Sequence, residues 1–100
     1  MKKLTTEELN VVDITEKVIC KEFNIRNSDF ESKNSTANVS LARGFLFYIL
    51  HKDYKISVGK IAEYYFREPR TIFWNISKID FLIKQRVYKE IYEKVSAQIK

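Results

Sequence analysis

This chain of 100 residues has few of the residues that build tight turns and reactive sites: two glycines, one proline, one cysteine and one histidine. Two glycines are too few for the glycine-rich loop that cradles phosphates in nucleotide-hydrolysing enzymes. One cysteine and one histidine cannot complete a structural zinc site, so we expect neither metal nor cofactor. The scarcity of glycine and proline argues against a turn-rich β fold. The sequence therefore predicts an all-α protein that is not an enzyme.

Long apolar runs are also absent. The longest, Phe45 to Leu50, is far too short to cross a bilayer. The basic and polar start of the chain lacks the apolar stretch of a signal peptide, and Cys20 is most simply a buried, reduced thiol. We therefore expect a cytoplasmic protein with no membrane partner. Its 45% hydrophobic content predicts one folded domain over residues 1–100, with 1–5 as a loose tail.

Caps and apolar spacing predict a compact bundle of about six helices. Thr5 and Glu8 have the spacing of a capping box before the first helix. The apolar side of that helix is expected to contain Val12, Ile14, Val18, Ile19 and Phe23. The expected segments are residues 6 or 12 to 23, one turn within 27–32, 36–52, a short helix after 57, 69–83, and a last helix from about 87 to 98.

The segment from Ser57 to Ile79 has the pattern of a helix-turn-helix. Ser57 is a suitable N-cap for a short helix, a break follows at 66–68, and Pro69 suits the first position of a second helix. Such a motif can place its second helix in the DNA major groove. Helical spacing directs one side of that helix to the core and the other outward. The core side contains Ile72, Ile76 and Ile79; the outward side contains Arg70, Thr71, Trp74 and Lys78, preceded by Arg67 in the turn.

Three interpretations of Trp74 are open at this point. Its indole would pack on sugar or a thymine methyl group within a groove. It would equally serve as an anchor for a protein partner. The third interpretation, slightly favoured because large aromatic side chains are usually buried, is that Trp74 folds back over the last helix as part of the core.

Positive charge is concentrated around the helix-turn-helix. Residues 40–86 contain nine lysines and arginines against four acidic residues, which equals the whole formal net charge of +5. The remaining residues contain nine basic and nine acidic side chains, so their charges cancel. A basic segment that coincides with such a motif is typical of a phosphate-binding surface, although mild net charge alone means little.

Several blocks of the sequence match one family. They are Ala42 to Leu50, Ser57 to Ile61, Thr71-Ile72 and Lys78-Ile79, preceded by Ile14 to Ile25 and Asp29 to Lys33. These blocks resemble domain IV of DnaA, the C-terminal DNA-binding domain of the bacterial replication initiator. The family pattern there is approximately A-R-x-x-x-x-Y-L, S-L-x-x-I-G, R-D-H-[ST]-T-V and K-I. The resemblance extends from about residue 12 to 91.

The resemblance implies a helix-turn-helix of the Trp-repressor type docked in the major groove of double-stranded DNA. It implies replication control or transcriptional regulation, in a nucleoid-associated, stand-alone module of bacterial, phage or plasmid origin. The ATPase domain that precedes domain IV in the family has no room in 100 residues. The implied roles are base or nearby phosphate contacts for Arg67, Arg70 and Thr71, phosphate contacts for Arg43, Ser57, Lys60 and Lys78, and a weaker contact to the neighbouring groove for Lys33. Trp74 is a further DNA-binding candidate because of its outward position on the second helix.

Departures from the family pattern support a second hypothesis. A Gly-Gly pair of the family is replaced by the aromatic stretch 64–66, and its Arg-Asp-His by Arg67-Glu68-Pro69. Its basic loop corresponds to 32–36, where only Lys33 is basic. A scaffold adapted to protein contacts would show such losses. In this alternative the chain is a protein-interaction module of the same fold, and its docking patch contains Trp74, Tyr64, Tyr65 and Phe66.

Overall fold

The computed structural model describes residues 4–31 and 36–99, except the side chain of Glu31, and every regular element within these ranges is helical. The prediction of an all-α bundle of about six helices is confirmed. In chain order the helices are α1 (Thr6–Phe23), α2 (Ser28–Glu31), α3 (Ala37–Lys52), α4 (Val58–Tyr64), α5 (Pro69–Leu82) and α6 (Arg86–Ile99).

Helix α1 begins with the predicted capping box. The Thr5 hydroxyl accepts from the Glu8 backbone N–H at 3.1 Å, and the Glu8 carboxylate accepts from the Thr5 backbone N–H at 2.8 Å. The helix buries Val12, Thr15 and Ile19. The expected core position of Ile14 is wrong, because this side chain is exposed. Ile14 lies 200° around the helix from Val12 at 100° per residue, which places it on the opposite side.

Helix α3 is the centre of the bundle. It is buried on nearly all sides and packs against α1 and α5, with further contacts to α2 and α4. A helix that is apolar around most of its circumference is stable only when other helices cover it. The predicted inward residues of α3 are all buried: Ala42, Phe45, Leu46, Ile49 and Leu50.

Gly44 allows α5 to approach α3 closely. A Cβ atom at Gly44 would lie 3.0 Å from both Cγ1 and Cδ1 of Ile79, which is closer than side-chain carbons normally come. Glycine in a helix interior costs stability relative to alanine, so its presence here is explained by this packing. The close contact fixes α5 on the core through one face and leaves the other outward.

Helix α6 closes the bundle against α1 and α3. Val95 is buried, and the ring of Tyr92 meets that of Tyr48 edge to face at 5.7 Å between centroids. The Tyr92 hydroxyl donates to the Asp53 carboxylate at 2.7 Å, just after the end of α3. Within residues 4–31 and 36–99, no helix is long and apolar enough to span a membrane.

Candidate nucleic-acid interface

Helices α4 and α5 form the predicted helix-turn-helix. The hydroxyl of Ser57 accepts from the Lys60 backbone N–H at 3.2 Å and caps α4, as expected. The turn is fixed by two backbone hydrogen bonds, from Arg67 N–H to the Ala62 carbonyl at 2.9 Å and from Phe66 N–H to the Glu63 carbonyl at 3.3 Å. This pair of bonds is a Schellman motif with Phe66 in the left-handed conformation, φ 55°. Pro69 then starts α5.

Tyr65 attaches the turn to the core. It is only 2% exposed, its ring packs on Phe47 at 5.4 Å between centroids, and its hydroxyl donates to the Glu16 carboxylate of α1. A buried ring cannot present itself to a partner. The hypothetical protein-docking patch is therefore wrong in including Tyr65, whereas Tyr64 and Phe66 are exposed.

Arg43 and Arg67 both bind backbone carbonyl groups of α2. Arg43 Nη2 donates to the Asp29 carbonyl at 2.8 Å, and Arg67 Nη2 donates to the Phe30 carbonyl at 3.0 Å. Arg43 is only 8% exposed. Burial, and secondly the nearby charge of Arg67, lowers the pKa of the Arg43 guanidinium. The geometry thus gives Arg43 an anchoring role inside the bundle, where the resemblance implied a phosphate contact.

Lys60 is held by an acidic side chain from the start of the chain. Its Nζ lies 3.0 Å from Oε1 and 3.3 Å from Oε2 of Glu8. The pKa of the Glu8 carboxyl is lowered, first by the hydrogen bond from the Thr5 backbone and next by the one from Lys60. A phosphate contact by Lys60 would compete with this ion pair.

Helix α5 presents the outward face that the sequence predicts. Ile72, Ile76 and Ile79 are buried, while Arg70 and Lys78 are exposed and Thr71 is partly buried. Trp74 is 64% exposed, so the interpretation that it folds back into the core is wrong. The indole instead lies between the two cations along one side of the helix, because residues 70, 74 and 78 are four apart.

The structure thus brings together part of the expected set. Arg70, Thr71, Trp74 and Lys78 share α5, Lys60 lies in the first turn of α4, and Ser57 is the N-cap of that helix. Arg67 lies in the turn between them. Lys33 falls outside the described residues, so its predicted contact is not placed. In the part of the chain described here, no cluster of three or more histidine, cysteine or acidic side chains is arranged to hold a metal ion.

Sequence reasoning missed two features of this surface. Glu8, which pairs with Lys60 across 52 positions of the sequence, gave no local signal. Phe66 was assigned only to a possible protein patch, yet it is 92% exposed at the centre of the turn and has a positive φ. The signal for its backbone conformation was present in the family pattern, where the same stretch contains glycines.

Comparison with known proteins supports the resemblance. DnaA of Thermoanaerobacter sp. (strain X514), a chromosomal replication initiator protein, is 34% identical over 80 residues, covering 80% of this chain and 18% of that protein. DnaA of Campylobacter jejuni subsp. jejuni serotype O:23/36 (strain 81-176) is 32% identical over 79 residues, covering 78% of this chain and 18% of the relative. No family model matches the chain. This chain, which spans less than a fifth of the length of these relatives, is homologous to a part of the replication initiator DnaA, a match consistent with its C-terminal domain.

Proposed function

We propose that this chain is a double-stranded DNA-binding protein that inserts α5 into the major groove. The observation that supports this most is the outward face of α5, where Arg70, Trp74 and Lys78 are exposed on a helix whose other side is locked into the core. The second helix of a helix-turn-helix makes base contacts from its first turns, while flanking cations contact phosphates. The homology to DnaA supports the same assignment.

The proposed contacts divide by position. Arg70 and Thr71 lie in the first turn of α5 and would approach base edges, with the Trp74 indole against sugar or base one turn later. Lys78 lies two turns along the helix and would hold a phosphate, as would Lys60 and Ser57 at the start of α4. Arg67 would act mainly by fixing the turn, since its guanidinium already binds the Phe30 carbonyl. Lys33 remains a proposed contact to the neighbouring groove.

Arg43 has the least support among the proposed DNA contacts. Its guanidinium is buried against the Asp29 carbonyl, so a phosphate would reach it only if α2 moved. The proposal therefore assigns Arg43 to positioning α3 and α2 beneath the DNA-binding surface. We further propose that the protein acts in replication control or transcription regulation in the cytoplasm, as a binding protein and not an enzyme.

A salt titration of binding to a short mixed-sequence duplex tests this function. Each phosphate that a cation neutralises contributes about −0.9 to the slope of log K against log salt, so the phosphate contacts proposed for Lys60 and Lys78 predict a slope of up to about −1.8. The ion pair with Glu8 reduces the share of Lys60. Lys21→Ala is a matched control, because it removes one exposed charge from α1 outside the helix-turn-helix. Lys78→Ala should flatten the slope and Lys21→Ala should not. Folded protein that binds no duplex at low salt contradicts the proposal.

A protein-interaction module of the same fold is the second candidate. It is favoured by the exposure of Phe66 and Trp74, since exposed aromatic side chains are frequent anchors of protein interfaces. The same titration separates the candidates. A protein module would bind duplex DNA weakly or not at all, and Lys78→Ala would leave any residual binding as it was.

A further inference from the structure

The conformation and exposure of Phe66 are both unfavourable for an isolated fold. Its ring is 92% exposed, so it gains almost nothing from packing within the bundle. Its φ of 55° lies in the left-handed region, which bulky residues rarely adopt and which glycine or asparagine adopts easily. Helix α1 ends in the same conformation, and there the position is occupied by Asn24. An aromatic residue at such a position indicates a role beyond folding.

The turn holds Phe66 firmly on both sides. Tyr65 before it is buried against Phe47, and Arg67 after it donates to the Phe30 carbonyl. The backbone of Phe66 itself donates to the Glu63 carbonyl. The ring is therefore presented outward from a fixed backbone, which reduces the entropy lost when it binds a partner.

Two cations follow Phe66 closely along the chain. Arg67 is its neighbour, and Arg70 follows four positions later, so their Cα atoms are at most about 14 Å apart. Phosphates attracted to this end of α5 would bring base edges near the turn. A phenyl ring cannot form hydrogen bonds with the edges of base pairs. The apolar group that base pairs present in the major groove is the 5-methyl group of thymine.

We infer that Phe66 is a further specificity residue, whose ring packs against a thymine methyl group beside the contacts made by α5. The inference rests on the proposed DNA binding and adds a preferred base to it.

The test compares two short mixed-sequence duplexes that differ only in thymine or uracil, which lacks the 5-methyl group. We expect the unaltered protein to bind the thymine duplex about fourfold more tightly, the factor that corresponds to removing one methyl-sized group from water. Phe66→Ala should bring this ratio close to one by weakening binding to the thymine duplex alone. Val87→Ala, which shortens an exposed apolar side chain on α6, should keep the ratio unchanged.

The possible failures are distinguishable. If the unaltered protein binds neither duplex, the proposed function fails and this inference fails with it. If it binds both equally, or if Phe66→Ala keeps the preference, only the assignment of Phe66 is overturned. A preference lost in Trp74→Ala but kept in Phe66→Ala would overturn it as well and would give the methyl contact to α5. Thermal melting of each variant confirms folding, which a side chain this exposed should not affect strongly.

Discussion

Glu8 binds two partners at once and links the start of α1 to the start of α4. Its carboxylate accepts the Thr5 backbone N–H at 2.8 Å, which caps α1, and lies 3.0 Å from Lys60 Nζ in the first turn of α4. The ion pair neutralises a lysine that the DNA-binding proposal needs. In the free protein Glu8 therefore occupies a place that a phosphate would take in a complex.

Glu8→Gln should strengthen duplex binding. Glutamine can replace glutamate in a capping box, so α1 keeps its cap while Lys60 loses its counter-charge. We expect affinity at low salt to rise by up to about fivefold, since this partly exposed ion pair contributes about 1 kcal/mol. The salt slope should steepen by up to about 0.9, because Lys60 then contributes to it in full. Fluorescence anisotropy with labelled duplex measures both quantities.

Glu7→Gln is the matched control for this prediction. It removes the same charge from the same turn of α1, and the Glu7 side chain is exposed. A general reduction of negative charge would make the two variants alike. Equal gains in affinity and equal slopes would therefore show that the Glu8–Lys60 contact does not restrain DNA binding.

The helix ends could be predicted because their signals are local. Thr5 with Glu8, Ser57, and Pro69 all act within one turn of the helix that they begin, and each is found in its expected place. The outward face of α5 was predictable for the same reason, since three isoleucines at helical spacing fix its orientation. The expected core position of Ile14 is wrong because apolar character alone does not fix the side of a helix on which a residue lies.

Contacts between distant residues had no such signal. Arg43 matched a family position, but its burial depends on the Asp29 carbonyl being placed beneath it by α2. The pairing of Lys60 with Glu8 and the burial of Tyr65 likewise arise when α1 packs against α4 and the turn. Sequence reasoning named the charged candidates for the site but could not say which of them already bind other groups within the fold.

Arg70→Ala should change the sequence preference of DNA binding, whereas Lys78→Ala should change its overall affinity. Arg70 lies in the first turn of α5, where side chains reach base edges, so its loss should relax sequence preference by about 1–3 kcal/mol at one position. Lys78 lies two turns later, and its loss should weaken all duplexes alike and flatten the salt slope by about 0.9. Selection from random duplexes measures the first effect and salt titration the second. An altered preference in Lys78→Ala with an unchanged one in Arg70→Ala would require a different docking of α5.

Gly44→Ala should destabilise the fold despite the better helix propensity of alanine. The new methyl group would lie 3.0 Å from two carbons of Ile79, and overpacking a core typically costs about 1–3 kcal/mol. The higher helix propensity of alanine offsets about 1 kcal/mol of this cost. We therefore expect the free energy of unfolding, measured in urea, to fall by roughly 1 kcal/mol. Gly59→Ala in α4 is the control and should gain about 0.5–1 kcal/mol. Similar gains in both variants would show that Ile79 moves aside freely.

The hydroxyl of Tyr92 should make the fold sensitive to alkali. Burial, and secondly the hydrogen bond to Asp53, raises the pKa of Tyr92 from 10.0 to about 12. A raised pKa means that the protonated form favours the folded state, so its contribution is complete below the unfolded pKa and is lost as pH rises toward the folded one. The free energy of unfolding should therefore fall more steeply across this interval than in Tyr92→Phe. Parallel curves for the two proteins would contradict the role of this hydroxyl.

Phe66→Gly should make the protein more stable while it weakens DNA binding. Relief of the left-handed conformation returns about 1–2 kcal/mol. Glycine loses more conformational entropy on folding, which lowers the stability by about 0.5–1 kcal/mol. The net gain is about 0–1.5 kcal/mol, and its midpoint of about 0.75 kcal/mol corresponds to a rise in melting temperature of about 3–6 °C for a domain of this size.

Asn24→Gly is the control for the effect of the left-handed backbone conformation in Phe66→Gly. Asn24 has the same φ of 55°, but asparagine tolerates it, so this change should bring little or no gain. If Phe66→Gly raises the melting temperature and lowers affinity for thymine-containing duplex, the turn sacrifices stability for recognition, as strained functional residues often do. A lower melting temperature would show instead that the exposed ring supports the fold, and the argument from strain to function would fail.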